Sequence, residues 1–337
     1  MINYEPVFNK MTKDTFDKFI EIYNIAVPRS GTKNDYKKNF QQKFNDNSDA
    51  ETAFQNFYKR LELAGRKHFY LFKINTSELR ETDLLGKVSN IPDESERTFD
   101  PKQDDGKTFK KVEGHCITVK RFQIRKSYTF VKDVEENDFL SKQYAINIIH
   151  YVMFATFDFV NSQIVCGYDS CGDYLDKKKQ DEELFDFLNL ITGKKIRYES
   201  LLTSSHIDRL KYLPNCLAYS ISNKANAFDQ AKFKKTKANF DKILSDLLHE
   251  KYKISEIKEN NPDFDLQTNV LYNAGLSASL DNDFDLINDD FEFYYFTDVI
   301  GKPYYFRIRF DVRNGGIITF SEAITWEELK DVLRQII

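Results

Sequence analysis

The strand-like runs of this chain come in adjacent pairs, and this limits its fold more than any other feature. HYVMFATFDF (150–159) and SQIVCGYDS (162–170) flank a turn at Val160-Asn161. PYYFRIRFDV (303–312) and GIITF (316–320) flank Asn314-Gly315-Gly316, a hairpin signal. Strands joined by such short turns run antiparallel. Strict alternation of strands with helices, which would give a parallel sheet, is not seen. The pattern predicts an α+β fold: an N-terminal helical subdomain at 1–65, then a larger body at 66–337 built on a mainly antiparallel sheet with packed helices.

The helical reading of 1–65 rests on caps and apolar spacing. Thr12 or Asp14 can cap a helix carrying Phe16, Phe19, Ile20 and Tyr23, with Pro28 and Gly31 to stop it. A second helix is expected over 33–44. A third starts at Ser48 or Asp49, runs through Phe54, Tyr58 and Leu61, and stops at Gly65. HFYLFKI (68–74) reads as a strand, 88–110 as an exposed loop, and CITVKRFQIRKSYTFV (116–131) as a long strand followed by an acidic turn or helix at Glu135, Glu136 and Asp138. Helices are expected at 181–190, 206–212, 227–250 and 326–337, the last with a capping box of Thr325 and Glu328. Strands are expected at 215–222 and 291–297.

Composition serves mainly to exclude. No stretch of about 18 apolar residues exists, so no membrane span is expected. The N-terminus lacks a charged region followed by an apolar one, and four cysteines in 337 residues form no disulfide framework. A cytoplasmic protein with free thiols is the expectation. With 12 Gly, and no Gly-rich phosphate loop or nucleophile elbow, dinucleotide, P-loop and α/β-hydrolase chemistry are disfavoured. The 30 Phe and 19 Tyr accompany abundant Lys, Asn and Ile, the texture of AT-rich codons.

The net charge of -4 conceals two poles. Residues 107–132 hold Lys107, Lys110, Lys111, Lys120, Arg121, Arg125, Lys126 and Lys132 against Glu113 alone. Cations interleaved with Phe122, Tyr128 and Phe130 can hold phosphates while rings stack on bases, so Lys110, Lys111, Lys120, Arg121, Arg125 and Lys126 are candidate nucleic-acid contacts. The same pattern also fits a solvated strand with its rings turned inward. A second basic run, Lys232 to Lys242, lies on the expected 227–250 helix and covers much of its circumference. The opposite pole, the acidic segment 260–301, contains nine acids and no Lys or Arg. Separated poles of this kind suit self-association or a basic protein partner.

Inside the acidic pole, Asp281, Asp283, Asp285, Asp289 and Glu292 fall at positions 1, 3, 5, 9 and 12 of a twelve-residue window. That is the ligand spacing of a calcium loop. Leu286 replaces the turn glycine and a strand-like run follows, so the pattern is equally that of a solvated acidic turn. Calcium or magnesium is the one cofactor it admits. Cys166 and Cys171, with Cys116, Cys216, His150 and His206 elsewhere, make one loose pair where a zinc site needs tight ones. Glu256-Ile257-Lys258, with Asp241 or Asp246 upstream, has the form of a restriction-type nuclease site that holds magnesium. Such triplets also arise by chance in a chain with 30% charged residues.

The residues therefore predict a non-catalytic binding or assembly protein that contacts DNA or RNA through 107–132. The coding texture suits an accessory bacterial gene such as a phage-defence component. The alternatives are a metal-dependent nuclease using Asp241, Glu256 and Lys258, and a protein–protein scaffold joined through its charged poles.

Overall fold

A computed structural model describes residues 2–65, 67–136, 139–170, 177–195, 198–202, 216–220, 291–297, 299–300, 304–311, 316–320 and 322–336. The α+β expectation holds: helices come first, and the strands that follow pair antiparallel. The chain divides into two compact units, 1–199 and 200–337. The helices of 1–65 belong to the first.

Four helices open the chain: α1 (Glu5–Lys10), α2 (Lys13–Tyr23), α3 (Lys33–Asp46) and α4 (Ser48–Glu62). Thr12 caps α2 and accepts from the Thr15 amide, as its position predicts. The helix ends before Pro28 and Gly31, because Asn24 takes the left-handed conformation (φ 51°) and closes the last turn. Asn47, one residue before the expected cap, holds the amides of Asp49 and Ala50. Aromatic side chains build the core of these helices. Tyr4, Phe8, Phe16, Phe19, Phe40, Phe44, Phe54 and Phe57 form one buried cluster. Most of their rings meet tilted or edge-on, as at Phe44–Phe54 with centroids 5.0 Å apart, while Tyr4–Phe8 and Phe16–Phe40 stack.

The sheet of the first unit has the order β2-β3-β4-β5-β1, from β1 (Lys67–Lys73), β2 (Thr108–Glu113), β3 (Cys116–Glu136), β4 (Phe139–Asp158) and β5 (Gln163–Asp169). Gly167 lies close against β1; a Cβ there would stand 2.5 Å from the His68 carbonyl oxygen. α5 (Glu81–Lys87) and α6 (Lys177–Thr192) complete the unit, with Gly193 (φ 69°) just past the end of α6. The two-residue strand β6 (Glu199–Ser200) marks the division between the units.

In the second unit, β7 (Cys216–Ser220), β8 (Phe291–Thr297), β9 (Tyr304–Asp311) and β10 (Ile317–Phe320) pair antiparallel in chain order. α7 (Trp326–Ile336) buries Leu329, Val332, Leu333 and Ile336, and its expected capping box is formed between Thr325 and Glu328. The Tyr295 hydroxyl and the Thr297 hydroxyl both donate to Asp331 on that helix.

Two expectations are corrected. The 88–110 segment is turn and loop up to the start of β2, with many exposed residues, but it is not exposed throughout: Val88, Arg97, Phe99, Asp104 and Phe109 are buried. Arg97 and Asp104 pair with each other inside the fold, and Phe99 joins the aromatic cluster of the helices, 5.8 Å from Tyr58. Glu135 and Glu136 do not begin a turn or helix. They continue β3, because the facing residues Leu140 and Phe139 extend β4 to meet them.

Candidate interaction surface

β3 and β4 are much longer than their neighbours. Pairing with β2 ends at Arg121 and pairing with β5 ends at Met153, yet the β3–β4 register continues to Glu136–Phe139. α1 covers the root of this hairpin, and the Asn9 side chain donates to the Ile148 carbonyl. Beyond Ile148, no further described element flanks it. About ten residues of each strand then form a two-stranded arm of roughly 33 Å at 3.3 Å per residue.

The root of the arm is an ionic knot. Glu62 ends α4 on the same helical face as Tyr58, so it is carried under the sheet with the apolar residues. Arg97 grips it with both terminal nitrogens, Nη1 to Oε2 at 2.9 Å and Nη2 to Oε1 at 2.8 Å. Arg97 Nε donates to Asp104 at 2.8 Å, and the guanidinium lies 4.0 Å from the centre of the Phe122 ring. Lys120 reaches the same Glu62 at 3.1 Å and Glu94 at 2.5 Å. Burial alone would raise the Glu62 carboxyl, but Arg97 and Lys120 outweigh it and hold it well below the usual range.

A second buried group lies alongside. Lys10 and Lys67 each reach Asp169 at 2.6 Å, and Asp169 also accepts from the Val152 amide. Burial drives the Lys67 ammonium down to about 7, against the pull of Asp169. His150 stacks on Phe122 with its Nδ1 3.2 Å from the Tyr58 hydroxyl. Burial lowers His150 to about 3, so it is neutral at pH 7. Its Nε2 is buried without a hydrogen-bond partner among the described residues.

These contacts decide the fate of the predicted basic surface. Neighbouring residues of a strand point to opposite faces, so Lys120-Arg121 and Arg125-Lys126 cannot form one stripe. Lys120, expected among the nucleic-acid contacts, is 3% exposed and paired with Glu62 and Glu94 rather than open to solvent. Lys110 donates to the carbonyls of Val88 and Ser89, and Lys111 pairs with Glu113. Arg125 pairs with Glu183 of α6 at 2.7 Å and lies over the Tyr151 ring. Arg121 is half-buried on the face opposite Lys120, and Lys126 is exposed. The sequence view missed Glu62, Glu94, Arg97 and Asp104, which come from three separate stretches and carry no local motif. Period-two alternation, however, was readable and splits the cations by itself.

The same alternation gives the arm two unlike faces. Cross-strand partners share a face, so Ile124, Lys126, Tyr144, Ile146 and Ile148 lie on the side that continues Phe122 and His150. Gln123, Arg125, Ser127, Ala145 and Asn147 occupy the other. Ile146 and Ile148 are 58% and 40% exposed on the apolar side. Between Phe130 and Lys132 the register slips at a bulge, leaving Val131 54% exposed. After the bulge the backbone register continues with 133 opposite 142 and 135 opposite 140.

Asp241, Asp246, Glu256, Lys258, Asp281, Asp283, Asp285 and Asp289 lie outside the described residues, as do the helices expected at 206–212 and 227–250. Glu292 stands in β8 opposite Tyr219 and Arg309 in the backbone register. No group of three metal-ligating side chains occurs among the described residues, and no described helix is long and apolar enough to cross a membrane. Cys166 is a buried free thiol raised by burial, and Cys116 is also free. One open cavity of about 850 Å³ is lined by Lys73, Glu78, Ser162 and Glu199 among others, and one of about 500 Å³ by Arg97, Asp104 and Lys107 among others. Neither lining includes a Cys or His to pair a nucleophile with a base. No family model, curated protein or solved structure matches the chain.

Proposed function

We propose that the protein is a non-catalytic assembly component whose β3–β4 arm binds protein through its apolar face. The observation that carries this reading is the pair Ile146 and Ile148, exposed side by side on a two-stranded ribbon. A ribbon that no other described element flanks has few described contacts to hold it, and its edges and apolar face invite pairing. The anchorage at the root argues for the same role. The buried ion pairs and the aromatic stack fix where the arm leaves the body, which gives a docking element a defined geometry. The test is sedimentation velocity on the full chain. The wild type should sediment above the monomer at high concentration, and Ile146→Asp/Ile148→Asp should return it to monomer with an unchanged circular dichroism spectrum. A wild type that stays monomeric and a variant that sediments identically would remove self-assembly through the arm.

A polyanion is the second reading. Arg121, Lys126 and Lys132 are the cations on β3 that remain at least partly exposed without an ion pair described above. Binding of DNA or RNA that falls with salt and is lost in Arg121→Glu/Lys126→Glu would favour it over the assembly role.

A further inference from the structure

Helices α1–α4 meet the sheet across a seam built largely of charged groups. The buried apolar cluster of the helices takes its members from 4–61 and Phe99, and none from β1–β5. Phe122 and Val152 stand opposite each other on the sheet face that Lys120 shares, and they belong to a separate cluster with Phe109. Between the two clusters, Lys10 reaches Asp169, Asn9 reaches the Ile148 carbonyl, Tyr58 meets His150, and Glu62 meets Arg97 and Lys120. Phe99, packed against Tyr58, adds an apolar contact.

The charges of this seam balance around a neutral His150. Lys10, Lys67, Arg97 and Lys120 stand against Asp169, Glu62, Glu94 and Asp104. They come from every element packed there: Lys10 from α1, Glu62 from α4, Glu94, Arg97 and Asp104 from 88–110, Lys67 from β1, Lys120 from β3 and Asp169 from β5. A proton on His150 is one cation more than these anions can meet. Its ring lies 7° from parallel on Phe122, and the Arg97 guanidinium already sits 4.0 Å from the centre of that same ring. We propose that the seam is an acid-operated latch: protonation of His150 releases the helices from the sheet while the aromatic core of the helices stays closed. Separate cores let the two layers part as units, and α4 stays joined to β1 through residues 63–66. The latch is independent of what the arm binds.

Opening returns His150 to its ordinary proton affinity near 6.5, from about 3 in the closed seam. Between pH 7 and pH 5 this raises the opening constant about 25-fold. Lys67, lowered to about 7 by burial, gains its proton on opening mainly above pH 7 and adds about twofold over the same interval. Glu62, held low, and Asp104, raised by burial, act in opposite senses around the ordinary carboxylate range.

Two buried positions read the layers separately in the full chain: Val152→Cys reports on the seam and Ala50→Cys on the helix core. Each thiol is labelled with a methanethiosulfonate and located by peptide mass spectrometry, with its rate corrected for the pH dependence of a free thiol. At pH 5 the seam thiol should label at least about tenfold faster than the core thiol, because parting the layers costs less than unfolding the helices. Its rate should rise about 50-fold from pH 7 to pH 5, and only about twofold once His150→Gln is added. Equal rates at the two positions would mean that the layers open only by global unfolding, and would overturn the latch. A 50-fold rise that survives His150→Gln would overturn His150 as its trigger. The comparison of the two thiols leaves His150 unchanged, so it decides the matter even if His150→Gln does not fold.

Discussion

Lys120 and Lys126 show what a strand does to a run of cations. Six residues apart, they share a face, yet Lys120 is sealed between Glu62 and Glu94 while Lys126 is open to water. Removing one partner of a buried ion pair leaves its neighbours charged and unpaired, a loss of about 3–5 kcal/mol. Lys120→Met should therefore lower the free energy of urea unfolding by that order, and Lys126→Met should change it by less than about 0.5 kcal/mol. Equal effects would contradict the placement of Lys120. His150 gives the molecule a pH dependence of definite sign. The folded state keeps it neutral down to about pH 3, while the unfolded chain protonates it near its ordinary value of 6.5. In that window the unfolded state binds the proton that the folded state refuses. Stability contributed by neutral His150 is thus complete above pH 6.5 and is lost on acidification, by about 2 kcal/mol at pH 5. Glu62, held low, adds a loss of the same sign once its ordinary range is reached. Between pH 7 and 5, where few carboxylates titrate, thermal melting should fall for the wild type and flatten for His150→Gln. An identical slope in both would assign the pH dependence elsewhere.

At the level of elements, the legible parts were those whose signals are local. Thr12 and Thr325 announce helix starts, because a side-chain oxygen serves an amide three residues on. The β4–β5 hairpin follows from two alternating runs and a short turn. The length of the arm was not legible. β3 reads as a strand only to Val131, since Lys132, Asp133, Glu135 and Glu136 have poor strand propensity, and pairing with β4 overrides it. The buried part of the 88–110 segment was missed for a related reason. Its Pro, Gly and acids look like loop, but burial of Arg97 and Asp104 is favourable only because each meets the other and Glu62, from a distant helix. Nothing within 88–110 records that partner.

For the whole molecule, the net charge of -4 proved less informative than where the charges are used. Much of the basic pole is spent on holding the first unit together, which leaves a short cationic stretch at the root of the arm. What remains unspent in the described residues is the arm itself, with Ile146 and Ile148 exposed on one face. Its occupancy is read most directly by amide hydrogen exchange of 123–131 and 143–149 in the full chain, measured across a dilution series. If two copies cover each other's arms, these amides are protected at high concentration and exchange progressively faster on dilution, while 116–122 and 152–158 remain protected throughout. Arm amides that exchange at one rate at every concentration would contradict the account.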